Sequence, residues 1–170
     1  MSEVNKDLVR RHFQQIWNVR NLDACDELMA VDFIEHAPAP FATNAPGKVN
    51  GPEAMRETVR WLTTQFPDIH FGVESIVADG DFVVARVISE GTNTGRLNGV
   101  LPPSGKAFRA VQCHWFRVQN GKLAEHWAVR DDLTSMLQLG IVTSPRLGAA
   151  RRQLGAAIRF WARSRHAERA

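Results

Sequence analysis

The runs Val111-Gln112-Cys113-His114-Trp115-Phe116-Arg117-Val118 and Leu123-Ala124-Glu125-His126-Trp127-Ala128-Val129-Arg130-Asp131 constrain the fold more than any other part of the chain. Both are rich in β-branched and aromatic residues, and between them lies Gln119-Asn120-Gly121-Lys122, whose Asn-Gly pair is a strong hairpin signal. The central hairpin of a curved sheet is expected here. Its register decides where the polar side chains point. With a type I turn over Val118 to Gly121 and Gly121 as the left-handed bulge residue, Val118 pairs with Lys122 and His114 with His126. Alternation then puts Gln112, His114, Phe116, Ala124, His126 and Ala128 on one face, and Cys113, Trp115, Arg117, Glu125, Trp127 and Val129 on the other. A tight two-residue turn would shift the pairing by one residue and separate the two histidines. The bulged turn is the expectation, because it gathers an amide and two imidazoles on one surface.

The remaining pattern places this hairpin in an α+β fold. Leu8, Val9, Phe13, Ile16 and Trp17 predict an amphipathic helix over Asn5 to Asn18, and Asp23 can cap a short second helix reaching Met29. An extended segment, Val31 to His36, precedes a loop from Ala37 to Gly51 with three prolines and two glycines, a candidate lid. Pro52 suits the first turn of a third helix, Glu53 to Gln65, with Met55, Val59 and Leu62 inward. From Ile69 the pattern alternates, and strands are expected at His70 to Ala78, Phe82 to Thr92, Lys106 to Val118 and Lys122 to Arg130. Leu133 to Leu139 reads as a closing helix. Helices followed by a meander of long antiparallel strands imply helices lying against one face of a bent sheet, with room for a small ligand at its mouth.

Composition excludes several classes. A chain of 170 residues, 44% hydrophobic and 23% charged, is expected to form one domain with a sizeable core, over 1–142, and an appended segment, 143–170. Met1 to Arg20 carries charge throughout, so no secretory leader is expected. Cys25 and Cys113 are then expected to be reduced thiols in a cytoplasmic protein. The net charge of +3 is uneven: from Pro145 onward seven arginines face Glu168 alone, leaving a mildly acidic body, which argues against nucleic-acid binding. The scattered histidines at 36, 70, 114 and 126 have no metal-ligand spacing, and neither a phosphate-binding loop nor a dinucleotide fingerprint is present, so no metal or cofactor is expected.

Several motifs occur in a recognisable order: Phe66-Pro67-Asp68, Asp79-Gly80-Asp81, Gly91-Thr92-Asn93-Thr94-Gly95, Gly99-Val100-Leu101-Pro102-Pro103-Ser104-Gly105-Lys106, Phe116 to Lys122, Glu125-His126-Trp127 and Asp131. From about Leu8 to Gly140 the chain resembles the SnoaL-like polyketide cyclases of the NTF2-like superfamily. The resemblance implies a cone-shaped α+β barrel, dimerisation through the outer sheet face, and a cavity for small apolar or polycyclic molecules. It implies cofactor-free ring closure by intramolecular aldol reaction, although relatives include hydroxylases, isomerases and proteins without known catalysis. Gln112 and His114 match the glutamine and histidine lining the cyclase pocket. The family's catalytic aspartate falls at position 128, which is Ala128 here, or at Asp131; both alignments stay open. Asn93 stands where the family's Gly-Thr-His-Thr-Gly turn has histidine.

Ring closure of this kind needs one group to remove a proton from an activated carbon and another to donate to the developing oxyanion. His114, with an unperturbed pKa near neutrality, and Asp131, if desolvated, are candidates for proton transfer, with Gln112 and His126 as orienting or oxyanion donors. Asp131 has a structural alternative as the cap of the closing helix, and His126 as a packing residue. His36 is a candidate for the cavity mouth or simply ends its strand; Trp17, Phe33, Phe41, Met55, Trp61 and Phe116 are candidates for the apolar pocket or ordinary core. The function expected is therefore cofactor-independent acid/base chemistry on a small carbonyl compound, with a non-catalytic ligand-binding protein or a family hydroxylase or isomerase as alternatives.

The outer face carrying Cys113, Trp115, Trp127 and Val129 is too apolar for water, so a homodimer through the sheet is expected, with coverage by the chain's own tail as the alternative. In that tail Leu147, Ala150, Leu154, Ile158 and Trp161 share one helical stripe among arginines. Packing on the domain is the first reading; contact with an anionic membrane surface or an acidic partner is the second.

Overall fold

The computed structural model describes residues 2–39, 48–49 and 51–142, with only the backbone described at 48–49. Helix α1, Ser2–Arg11, runs directly into a π-helical segment, His12–Asn18; α2 is Ala24–Leu28, β1 Met29–Glu35, β2 Lys48–Val49 and α3 Gly51–Gln65. Four long strands follow, β3 His70–Asp79, β4 Phe82–Thr92, β5 Ala107–Gln119 and β6 Lys122–Arg130, and then α4, Asp132–Leu139. The described strands form one sheet in the order β2-β1-β6-β5-β4-β3, antiparallel except where β1 runs parallel to β6. This is the expected α+β architecture, a curved, mainly antiparallel sheet with helices on its inner side. The candidate lid lies mostly outside the described residues, as do Phe41 and the tail from 143 onward.

Two local departures from expectation shape the interior. The opening helix does not stay α-helical: Val19 N–H donates to Gln14 O at 2.9 Å, a five-residue spacing. Widening the turn brings residues five apart onto one side, so the indole N–H of Trp17 donates to His12 Nε2 at 3.2 Å. In an α-helix those side chains would diverge by more than a third of a turn. The segment is then tied to β3 by Asn18, whose amide donates to Phe71 O and accepts from Phe71 N.

The second departure is the hairpin register. Asn120 (φ 52°) and Gly121 (φ 73°) are both left-handed, so Gln119 pairs with Lys122 across a two-residue turn rather than through the expected bulged turn. That turn by itself would send the two histidines to opposite faces. One residue further on, the register shifts: Val118 pairs with Leu123 and Arg117 with Glu125, leaving Ala124 as an extra residue in β6. The bulge restores the face. His114 consequently lies opposite Ala128, not His126, and His126 lies opposite Phe116.

The core fills the space between sheet and helices with Val9, Phe13, Ile16, Leu28, Phe33, Val59, Val83, Val87, Phe116 and Leu123, all essentially buried. Alternation along β4 buries Val83, Ala85, Val87 and Ser89 on this side. Between β4 and β5 the loop is held by Asn93, which is fully buried. Its amide donates to Gln65 O and Gly95 O, and its Oδ1 accepts from Ser104 N at 2.7 Å. The asparagine at this position is thus a clamp for the loop. Replacing it with alanine removes three hydrogen bonds that hold the loop, so Asn93→Ala is expected to destabilise the fold by about 3 kcal/mol, measured by urea unfolding; a change below about 0.5 kcal/mol would show that the loop holds itself.

Candidate active site

Between the sheet and α3, α4 and the π-helical segment lies a cavity of about 310 Å³. Its wall is mostly apolar: Trp17, Phe33, Met55 and Trp61 all line it, together with Phe13, Phe71 and Phe108. Ala37, Pro38 and Ala39, the start of the long loop, also reach it. Phe116 does not; it lies in the core beneath the histidines, with its ring 4.6 Å from that of His126.

The polar strip is built by β1, β5 and β6. Because period-two alternation holds on both sides of the bulge, Gln112, His114, His126 and Arg130 all face inward. Gln112, His114 and His126 form a continuous hydrogen-bonded line with Ser89 and Glu35. Gln112 donates from Nε2 to Ser89 Oγ at 2.8 Å, which turns its Oε1 toward His114 Nε2 at 2.7 Å, where it accepts that ring's proton. His114 Nδ1 faces His126 Nε2 at 2.9 Å, and His126 Nδ1 faces both carboxyl oxygens of Glu35 at 2.9 and 2.8 Å. Burial holds His114 well below the usual imidazole range, and the positive charges available at His126, Arg130 and His12 push it the same way. A neutral His114 with its proton on Nε2 must accept at Nδ1, so His126 donates from Nε2. One proton is then shared between His126 Nδ1 and Glu35. Glu35 is fixed from its other side by the backbone N–H of Ala37 at 2.8 Å.

Glu35 is the site residue that the sequence did not single out. The signal for it was weak: on β1 it occupies the alternate positions with Phe33, and only the parallel pairing Glu35–His126 brings it to the histidines. His12 was missed as well. It lines the cavity, burial lowers its pKa to about 3, and its Nδ1 is without a hydrogen-bond partner among the described residues. Arg130 anchors the loop start, donating to Ala37 O at 3.0 Å and to Pro38 O at 2.5 Å. Asp132 also lines the cavity, and burial raises its pKa.

Two further sequence candidates lie elsewhere. His36 points to the outer face, stacked on Trp127 at 4.5 Å and paired with Glu125 at 2.7 Å, because adjacent strand residues alternate and Glu35 takes the inward position. Asp131 takes the capping alternative: its Oδ1 accepts from Thr134 N at 3.0 Å, and these hydrogen bonds hold its carboxyl below the usual range. It is not among the residues lining the cavity. Among the described residues, no group of three or more His, Cys, Asp or Glu side chains has a metal-binding arrangement.

A model of the SnoaL-like polyketide cyclases matches residues 7–139. The chain belongs to that family. It is 30% identical over 135 residues to the aklanonic acid methyl ester cyclase of Streptomyces peucetius, covering 79% of this chain and 89% of the relative. To the nogalonic acid methyl ester cyclase of Streptomyces nogalater it is 29% identical over 125 residues, covering 73% and 89%. The crystal structure of IdmH from Streptomyces antibioticus superposes with a TM-score of 0.69 at 31% identity, covering 80% of this chain and 98% of IdmH. Membership accounts for the helices on a curved sheet and makes polyketide cyclase the class at family level. No helix among the described residues is long and apolar enough to cross a membrane.

The buried histidines make stability depend on acidity in a defined direction. His12 has a folded pKa of about 3 against 6.5 for the free side chain, so the unfolded chain takes up its proton first. Stability is therefore full above about pH 6.5 and falls as pH drops below it, with His114 adding in the same sense. Unfolding in urea at pH 7 and pH 5 is expected to differ by about 2 kcal/mol from His12 alone. Equal stability at the two values would mean that these imidazoles are solvated in the folded state.

Proposed function

We propose that this protein closes a ring in a polyketide-like ester by cofactor-independent intramolecular aldol reaction. The observation that carries the reading is the cavity, apolar over most of its wall and crossed by the hydrogen-bonded strip of Gln112, His114, His126 and Glu35. An aromatic body would lie against Trp17, Phe71 and Phe108, while its carbonyl groups meet the strip. His114 is the proposed proton carrier. The substrate C–H bond breaks, its proton passes to His114 Nε2 and its electrons to an enolate. The enolate carbon then bonds to a second carbonyl carbon, and the resulting alkoxide recovers the proton. For His114 to take this proton at Nε2, its own proton must stand on Nδ1 and the amide of Gln112 must yield its place, since both ring nitrogens are engaged in the unliganded site. That engagement also favours a second reading, a protein that binds such molecules without converting them.

The esters named for the two relatives, aklanonic and nogalonic acid methyl ester, are the substrates to test, with no cofactor added. Ring closure is expected, falling about 10³-fold in His114→Ala and remaining within about threefold in Asp131→Asn, whose loss is a lower Tm. Tight binding without conversion would select the second reading.

The outer face supports a proposal about assembly. Val129 is 64% exposed, Phe82 46% and Val111 40%, beside the parallel rings of Trp115 and Trp127. Such a surface suits a second copy of the sheet. Sedimentation velocity is expected to show a dimer that Val129→Glu converts to a monomer; an unchanged dimer would place the interface elsewhere.

A further inference from the structure

We propose that Glu35 is the proton store of this site, acting through His126 to make His114 a base. The inference rests on the reading of the cavity as a place of proton abstraction and says where the proton taken up by His114 goes. Position 128, directly across from His114, is alanine and offers no acid or base. Among the described residues Glu35 is the carboxylate hydrogen-bonded to the histidine pair. It is 8% exposed, and an anion so buried is tolerated only where partners compensate its lost hydration. Those partners are the Ala37 N–H and the ring of His126.

The line of hydrogen bonds has two proton arrangements that differ by one proton and by the orientation of one amide. In the arrangement described above, Gln112 Oε1 accepts from His114 Nε2, and the Glu35–His126 pair holds the extra proton. If that proton is absent, Glu35 is an anion accepting from His126 Nδ1, His126 Nε2 accepts from His114 Nδ1, and the lone pair of His114 stands at Nε2. A reversed Gln112, with its NH2 toward His114 and its oxygen toward the Ser89 hydroxyl, completes that state. Proton abstraction converts the second arrangement into the first. The C–H proton goes to His114 Nε2, the Nδ1 proton of His114 to His126 Nε2, and the Nδ1 proton of His126 to a Glu35 oxygen. Three N–H or O–H bonds form, while one C–H and two N–H bonds break. No charge is left on either imidazole, which the apolar wall requires. Protonation of the alkoxide runs the same steps backward.

The charged and titratable groups facing His114 are compatible with this. Arg130 on β6 is committed to the carbonyls of Ala37 and Pro38, and His12 on the π-helical segment stays neutral above about pH 3. Neither offers a competing acceptor for the relayed proton. Glu35 is accordingly a positioning residue, separated from the substrate by two imidazoles.

The test uses the full chain labelled with 15N at histidine, and an anthraquinone-linked β-keto ester deuterated at the carbon between its carbonyls. The wild type is expected to exchange that deuterium for solvent hydrogen. Glu35→Gln is expected to exchange it at least about 10²-fold more slowly, with the probe's Kd within about threefold. A variant that folds, binds and exchanges like the wild type overturns the proposal. A second reading needs neither substrate nor variant: in the wild type His114 and His126 are expected to titrate with one common midpoint, because one added proton reorganises both rings. Independent midpoints overturn the relay. Should the wild type exchange no deuterium, the cyclase reading falls, and the titration alone decides whether Glu35 and the two histidines share a proton.

Discussion

One extra residue in β6 decides whether this protein has a site at all. The Asn120-Gly121 turn fixes a register in which His114 and His126 would face opposite ways, and the unpaired Ala124 turns the rest of the strand back. Beyond the bulge, His126, Ala128 and Arg130 face inward, and Glu125, Trp127 and Val129 outward. The inner row becomes the cavity wall and the outer row an apolar sheet surface. A strand alternates with period two, so a single insertion inverts every residue after it.

Once inside, the polar groups are governed by desolvation. A buried imidazole is cheaper neutral than charged, and each buried N–H or lone pair needs a partner. The site satisfies both demands by connecting its members end to end, from Ser89 through Gln112, His114 and His126 to Glu35. A line of this kind moves a proton along its length without placing a lasting charge on any ring, which is a useful property beside an apolar ligand. The π-helical segment contributes a further buried imidazole by a different route: its wide turn pairs Trp17 with His12 and so fixes that ring's orientation within the cavity wall.

Family membership and local chemistry therefore speak to different levels. The curved sheet and its helices are shared with IdmH at 31% identity, and about 30% of the sequence is shared with two methyl ester cyclases. Asn93 and Ala128 have divided roles. Asn93 is a structural clamp between α3 and the β4–β5 loop. Position 128, across from His114, carries no carboxylate, and the carboxylate bonded to the histidine pair comes from β1.

Much of this architecture was legible in the chain itself. The bounds of β4 and β6 follow from alternation and turn residues alone, and the long strands, α3 and α4 fall within two residues of expectation. Gln112, His114 and His126 could be assigned to one face, although the turn that was expected to put them there was the wrong one. Those features are encoded by neighbours a few residues apart, through period, propensity and turn geometry. Glu35, the neutral state of His12 and the outward turn of His36 were not legible, because each depends on which distant strand or helix lies alongside. Glu35 meets His126 across ninety-one positions of sequence, through a parallel pairing that no local pattern specifies. The sequence by itself determined the strands and which of their residues could share a face; only the tertiary structure decided which faces met, since burial and proton sharing are properties of the assembled interior.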